Sequence, residues 1–152
     1  MNEQARIYWD EFWQGKQKPT HVVAEQFGWE YTSMADELAG LIIEGKKTAT
    51  CSAYIHYELN DEPVPQVGSY TIILSSKDEP VAIIKTTFVE IIPMSEVDTQ
   101  FAAAEGEGDL SYEYWYEGHK KFFTKELAKY GKEFSDDMLV VCERFELIDV
   151  KK

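Results

Sequence analysis

The run from Val81 to Ile92 constrains this chain most. It carries Ile83, Ile84, Val89, Ile91 and Ile92, starts after the turn Asp78-Glu-Pro80 and stops at Pro93. A β-branched run of that length, bounded by turn formers, must be a strand paired along its length. A second such run, about Met138 to Val150, closes the chain. Tyr70–Leu74, entered through the turn Val67-Gly68, is a shorter partner, and residues 47–58 also read as extended, with Pro63 and Pro65 marking the loop beyond.

Helical spacing occupies the remaining stretches. Residues 3–14 present Ile7, Tyr8, Phe12 and Trp13, and residues 15–32 read as irregular, with Gly15, Pro19 and Gly28. Ser33 with Asp36 forms a capping-box pattern ahead of Leu38, Leu41 and Ile42, and Gly45 stops that helix. Ser95 can cap a short helix through about Ala104, with Val97 and Phe101 four apart. A longer one runs from about Ser111 to Lys129 with Trp115, Phe122, Phe123 and Leu127, and Gly131 ends it. The helices come in blocks rather than after every strand, which argues against a doubly wound parallel sheet. The expected fold is α+β: a small, mixed or largely antiparallel β-barrel with flanking helices. Residues 1–32 read as a helical extension packed on a single globular unit, residues 33–152.

Charge narrows the function. The chain of 152 residues has a formal net charge of -13, which argues against salt-driven wrapping of nucleic acid, so DNA is not an expected partner. A local basic pocket is still open to it. Cys51 and Cys142 sit singly in apolar runs, away from any Cys-x-x-Cys pair, so a cytoplasmic home without disulfides is expected. The first residues lack the basic start and apolar stretch of a signal peptide, and no apolar run is long enough to span a bilayer. His21, His56 and His119 have no zinc-ligand spacing with the cysteines. Neither a phosphate loop nor a dinucleotide fingerprint is present, so no metal or organic cofactor is expected.

Two polar segments carry the chemistry. The first is Gly45-Lys-Lys-Thr-Ala-Thr50, at a helix-to-strand junction. In an extended chain Lys47, Ala49, Cys51 and Ala53 share one face, and Thr48, Thr50, Ser52 and Tyr54 share the other. This is either a plain amphipathic strand with solvated hydroxyls or a site in which a bulge turns Lys47 toward Thr50. A desolvated lysine can lose its proton and act as a general base, and a neighbouring threonine can act as nucleophile. Lys46 reads as charged and solvated, or as a phosphate contact. The second segment is Glu105-Gly-Glu-Gly-Asp-Leu-Ser111. Its glycines permit close backbone approach. Asp109 or Ser111 is explained by helix capping, whereas Glu105 and Glu107 are not. Trp115 and His119 lie four apart, either as a core pair or as a stacking platform and polar contact for a base.

Gly45-Lys-Lys-Thr-Ala-Thr50 after a Leu-rich helix resembles the signature of the ASCH domain, the activating-signal-cointegrator homology domain. Ala102-Ala-Ala-Glu-Gly-Glu-Gly-Asp109, then Ser111 and Tyr114-Trp115, resembles its bacterial branch, as does the closing Leu139-Val-Val-Cys-Glu-Arg-Phe-Glu146. The three motifs occur in order between about Ser33 and Val150. The resemblance implies a barrel like that of PUA domains, with a cleft beside the signature. The family is proposed to bind RNA; some small members are amidohydrolases that remove an acyl group from modified cytidine with Lys, Thr and Glu, and others are implicated in RNA cleavage. Matched by motif, those residues are Lys47, Thr50 and Glu107, with Glu105 as a competing match. Many members have Arg two residues past the Thr. Here Ser52 stands there, which removes one phosphate or base contact. Tyr54 and Ser111 are expected as polar neighbours of the cleft.

Three functions follow. In a nucleoside hydrolase Lys47 is the general base, Thr50 the nucleophile and Glu107 the proton shuttle or the acid that orients the lysine. In an RNA-binding module Lys46, Lys47 and Arg144 hold phosphate, and Trp115 or Tyr54 stacks on bases; a ribonuclease variant needs Lys47 and Ser111 near the scissile phosphate. In a regulatory domain the pocket is vestigial. The expected partner is a nucleoside or short RNA, and no membrane.

Overall fold

The computed structural model describes residues 1–27 and 32–152, with only the backbone of Thr32 and Ser33. Its strands are β1 (Val22–Glu25), β2 (Ala49–Ala53), β3 (Tyr70–Leu74), β4 (Pro80–Pro93) and β5 (Leu139–Val150). The helices are α1 (Glu3–Phe12), α2 (Thr32–Ile43), α3 (Tyr54–Leu59), α4 (Thr99–Ala104) and α5 (Tyr112–Ala128), with a 3-10 turn at Met94–Glu96.

The two long runs pair with each other. β4 and β5 are antiparallel from Ala82↔Val150 to Pro93↔Leu139, with irregularities at Ile83/Ile84 and Thr86/Phe88 that bend the ladder. β3 adds to the first half of β4, and β2 pairs with the first half of β5 from Ala49↔Arg144 to Ala53↔Val140. β1 runs parallel to β3. The order is β1-β3-β4-β5-β2. Among the described residues this mixed sheet has β1 and β2 as its edges, so the expected closed barrel is not seen.

β1 lies in the stretch read as irregular. Four residues are too few to show a period beside Gly and Pro, and β3 supplies its pairing. The run at 47–58 is extended only to Ala53. β5 offers no partner beyond Val140, so the backbone groups after Ala53 satisfy one another in α3. The helix expected from Ser95 starts instead at Thr99, where the Asp98 carboxylate accepts from Phe101 N at 2.8 Å. Met94 N and Ser95 N donate to Met138 O and Asp136 O, and Val97 N, an amide that a Ser95 cap would accept from, donates instead to Met94 O at 3.1 Å. The Ser33 cap lies outside the described side chains; Asp36 accepts from Ser76 N and Oγ at 2.8 and 2.6 Å.

Both faces of the sheet are covered. α1 buries Ala5, Tyr8 and Trp9 against Ile72, Leu74 and Ile83. Trp9 meets Tyr70 edge-on at 5.6 Å. α2 sets Ala39 and Ile42 on Ile73, Ala82, Ile84 and Phe145. α4 and α5 bury Phe101, Ala102, Trp115 and Phe123 against Ala49, Ala53, Val140 and Cys142. This last layer brings the two polar segments together.

Candidate functional site

Gly45 has φ of +79° and ends α2. The chain then folds under the helix terminus, where Lys46 N and Lys47 N both donate to Leu41 O at 3.0 and 3.1 Å. Next, Thr48 N donates to Ala104 O at 2.8 Å and Phe145 N donates to Thr48 O at 3.0 Å. Lys47 is thereby fixed between the end of α4 and the middle of β5. Gly106, with φ of +74°, lies so close that a Cβ there would come within 2.3 Å of Lys46 O and 2.9 Å of Lys47 N. Only glycine permits this backbone approach, and it is why the two motifs form one site.

The lysine side chain is 1% exposed. Its ammonium faces Glu105 Oε1 at 3.1 Å, Glu107 Oε2 at 3.3 Å and Glu105 O at 3.4 Å. Both carboxylates that competed in the sequence therefore reach it. Glu105 is buried, while the Glu107 side chain is 25% exposed. Glu105 Oε2 also receives Trp115 Nε1 and lies 3.1 Å from His119 Nε2. His119 Nδ1 is 2.8 Å from Trp115 O. Both imidazole nitrogens thus face acceptors, an arrangement that the doubly protonated ring satisfies. The ring stacks on Trp115 at 4.4 Å.

These contacts outweigh desolvation. Burial alone would raise Glu105, but the charges of His119 and Lys47 and the bonds from His119 and Trp115 hold its carboxyl at about 2. Burial would lower Lys47, yet Glu105 and Glu107 hold it above the ordinary lysine value. Burial would likewise lower His119, and Glu105 raises it. The neutral lysine expected from desolvation is therefore corrected: at neutral pH the group is an ammonium.

Lys47, Glu105 and Glu107 open on a cavity of about 280 Å³, near the lower end of small-molecule sites. It sits between the two sheet edges, bounded by Glu25 at the end of β1, by Gln26 and Phe27 after it, and by Thr50, Cys51 and Ser52 of β2. Thr50 stands directly across from Glu143 on β5, which also lines the cavity. Ser52 Oγ is 2.8 Å from Tyr57 OH. Trp115 and His119 line the wall, but Trp115 is buried under His119 rather than free to stack on a base. The open aromatic at the wall is Tyr114, 53% exposed.

Four expected contacts are not in the lining. Lys46 is exposed and pairs with Glu44 at 3.2 Å. Ser111 caps α5, its Oγ accepting from Tyr114 N at 3.1 Å. Tyr54 opens α3 beside the cavity without lining it. Arg144 follows Glu143, and strand alternation gives it the opposite face, with its guanidinium 5.4 Å from the Phe101 ring. Sequence reading missed Glu25, Tyr57, Glu126 and Glu143. Of these, only Glu143 had a signal, as the direct neighbour of Arg144 in the closing motif. Among the described residues no three His, Cys, Asp or Glu side chains group to hold a metal ion, and no helix is long and apolar enough to cross a membrane.

Comparison with known proteins agrees with this fold. A crystal structure of a protein from Enterococcus faecalis is 41% identical, covers 99% of this chain and 91% of that one, and superposes with a TM-score of 0.88. The ASCH domain from Lactobacillus crispatus is 34% identical over 97% of this chain and 95% of that one, with a TM-score of 0.90. No curated protein matches the chain. The family model for the ASCH domain matches residues 23–149, and the chain belongs to the ASCH domain family.

Proposed function

We propose that the cavity is the active site of an amidohydrolase that removes an acyl group from a modified cytidine. The observation that carries this reading is the buried ammonium of Lys47, held by two carboxylates of unequal exposure in a nucleoside-sized cavity that Thr50 also lines. Its three donors are taken by Glu105 Oε1, Glu105 O and Glu107 Oε2. Glu107 is the partner nearest solvent, so it is the one a substrate carbonyl displaces. Lys47 then faces the carbonyl oxygen, and Glu107 is freed to accept a proton.

In the first step Thr50 Oγ gives its proton to Glu107 and bonds to the acyl carbon. The negative charge that develops on oxygen is stabilised by Lys47. The C–N bond then breaks, the amine leaves with the proton from Glu107, and the acyl group remains as an ester on Thr50. Water, deprotonated by Glu107, cleaves that ester and restores the hydroxyl. Glu105 is a positioning residue that fixes the ammonium.

Lys47 as general base is disfavoured in this reading because both carboxylates hold its proton. An RNA-binding or RNA-cleaving role is also weaker: Lys46, Ser111 and Arg144 do not line the cavity, and its carboxylates repel phosphate. The test is chromatography of acylated cytidines after incubation with wild type, Lys47→Ala and Thr50→Ala. Release of cytidine by wild type, lost in both variants, supports the reading. No turnover across the panel removes it.

A further inference from the structure

Of the described aromatic rings that line the cavity, Tyr114 alone is exposed. Phe27 meets Phe145 edge-on, the Tyr57 hydroxyl is taken by Ser52, and Trp115 lies under His119. Tyr114 is nevertheless held in place. Its backbone is fixed at the start of α5, where its N–H donates to Ser111 Oγ and Ser111 N donates to Asp109 Oδ1 at 2.9 Å. Its ring is seated on Gly108, which has φ of +60°. A Cβ at Gly108 would lie 2.5 Å from Cδ1 and Cζ of the ring and nearer still to Cε1. A point that close to three successive ring carbons lies over the face of the ring; beside the edge it could approach only one of them. One face of Tyr114 is therefore pressed on the backbone, and its uncovered side is what it gives to the cavity and to solvent.

A second observation fixes where that side stands. Gly106, two residues earlier, is pressed on the backbone of Lys46 and Lys47. Residues 106–108 are thus held at one end by the lysine segment and at the other by the Tyr114 ring. Glu107 lies between them, with its carboxylate on Lys47 at 3.3 Å. The ring therefore stands one residue from the acid that a substrate carbonyl displaces. Any side chain at Gly108 would push the ring off this seat, so the second glycine of the motif has a use that helix capping does not explain.

We propose that Tyr114 is the platform for the ligand: the planar ring of a base stacks on its uncovered face while the group to be cleaved reaches Lys47 and Thr50. A fixed aromatic face gains contact with any flat π-system and loses much of it with a puckered ring. Gly108 sets the ring's orientation before a ligand arrives, so little conformational freedom is lost on binding. Tyr114 then selects for planarity, and the polar groups beyond Glu107 select the bond.

The proposal deepens the amidohydrolase reading and rests on it for the ligand, but its test does not need turnover. Binding is measured by calorimetry for N4-acetylcytidine, whose base is flat, and for its 5,6-dihydro analogue, whose base is puckered. A Thr50→Ala background keeps the acyl group on the ligand. With Tyr114 in place the flat base should bind about tenfold more tightly than the puckered one. Tyr114→Phe should keep that ratio, and Tyr114→Leu should bring it within about twofold of unity. Thermal midpoints check that both variants fold; a ring that only packs the 106–108 segment would move the midpoint and leave the ratio alone. A ratio near unity with Tyr114 in place, a ratio unchanged in Tyr114→Leu, or one lost in Tyr114→Phe overturns the proposal even if the nucleoside is hydrolysed. If N4-acetylcytidine does not bind, the cytidine reading fails alone, and the common ribonucleosides become the probes on wild type and Tyr114→Leu. Binding that the leucine variant weakens about tenfold upholds the platform. Binding that it leaves unchanged, or no binding by any of them, overturns it.

Discussion

Replacing Glu105 by glutamine removes one charge and almost no volume, and it tests the electrostatic core of the site. The carboxyl is held at about 2 against an ordinary 4.5. At ~1.4 kcal/mol per pH unit that difference corresponds to about 3 kcal/mol of stability. Because the folded value is depressed, this stability is present above the unfolded value of 4.5 and is lost as pH falls toward 2. The figure agrees with the ~3–5 kcal/mol cost of leaving a buried charge without its partner. It sits at the low end because Lys47 keeps Glu107. Urea unfolding at pH 7 should place Glu105→Gln about 3 kcal/mol below wild type, a midpoint shift of roughly 1.5 M for a slope near 2 kcal/mol per M. The gap should shrink as pH falls through 4.5 and nearly close near pH 2. A variant within ~0.5 kcal/mol of wild type at pH 7, or a gap that ignores acid, would refute the reasoning.

The remaining expectations concern the backbone and His119. Gly106→Ala forces a methyl against Lys46 O in a left-handed conformation and should cost at least about 2 kcal/mol by thermal unfolding. Gly40→Ala, inside α2 with open space around its Cβ position, should instead stabilise by about 0.5–1 kcal/mol. The His119 ring should still be protonated at pH 6.5 in NMR spectra, with its midpoint above that value, because Glu105 outweighs burial. Its stabilising contribution is complete below the unfolded value and is lost as pH rises through the folded one. A midpoint below 6.5 would mean that burial wins.

Long periodic elements were legible because each carries its own signal. The β-branching of residues 81–92 and 138–150 located β4 and β5, and Gly45 and Gly131 marked helix ends. What depends on a partner was not legible. β1 exists because β3 pairs with it, α3 begins where the pairing of β2 with β5 ends at Val140, and Asp98 caps while Val97 N is already taken by Met94 O. Within the site, motif spacing found Lys47, Thr50, Glu105 and Glu107, all of which line the cavity. It did not find that the lysine stays charged, since that follows from two carboxylates converging on it in space. Lys46 and Arg144 looked like phosphate ligands by residue type, and Glu44 and strand alternation take them elsewhere. Glu25 and Glu143 come from opposite edges of the chain's order and meet only through the sheet.

The central claim is that Thr50 carries the acyl group. The direct measurement is peptide mass spectrometry after rapid acid quench of the protein mixed with N4-acetylcytidine. The account predicts a mass gain of one acetyl group on the peptide containing Thr50, absent in Thr50→Ala and decaying as cytidine accumulates. Cytidine release with no acetylated Thr50 at any quench time, or with the acetyl group on another residue, would contradict it.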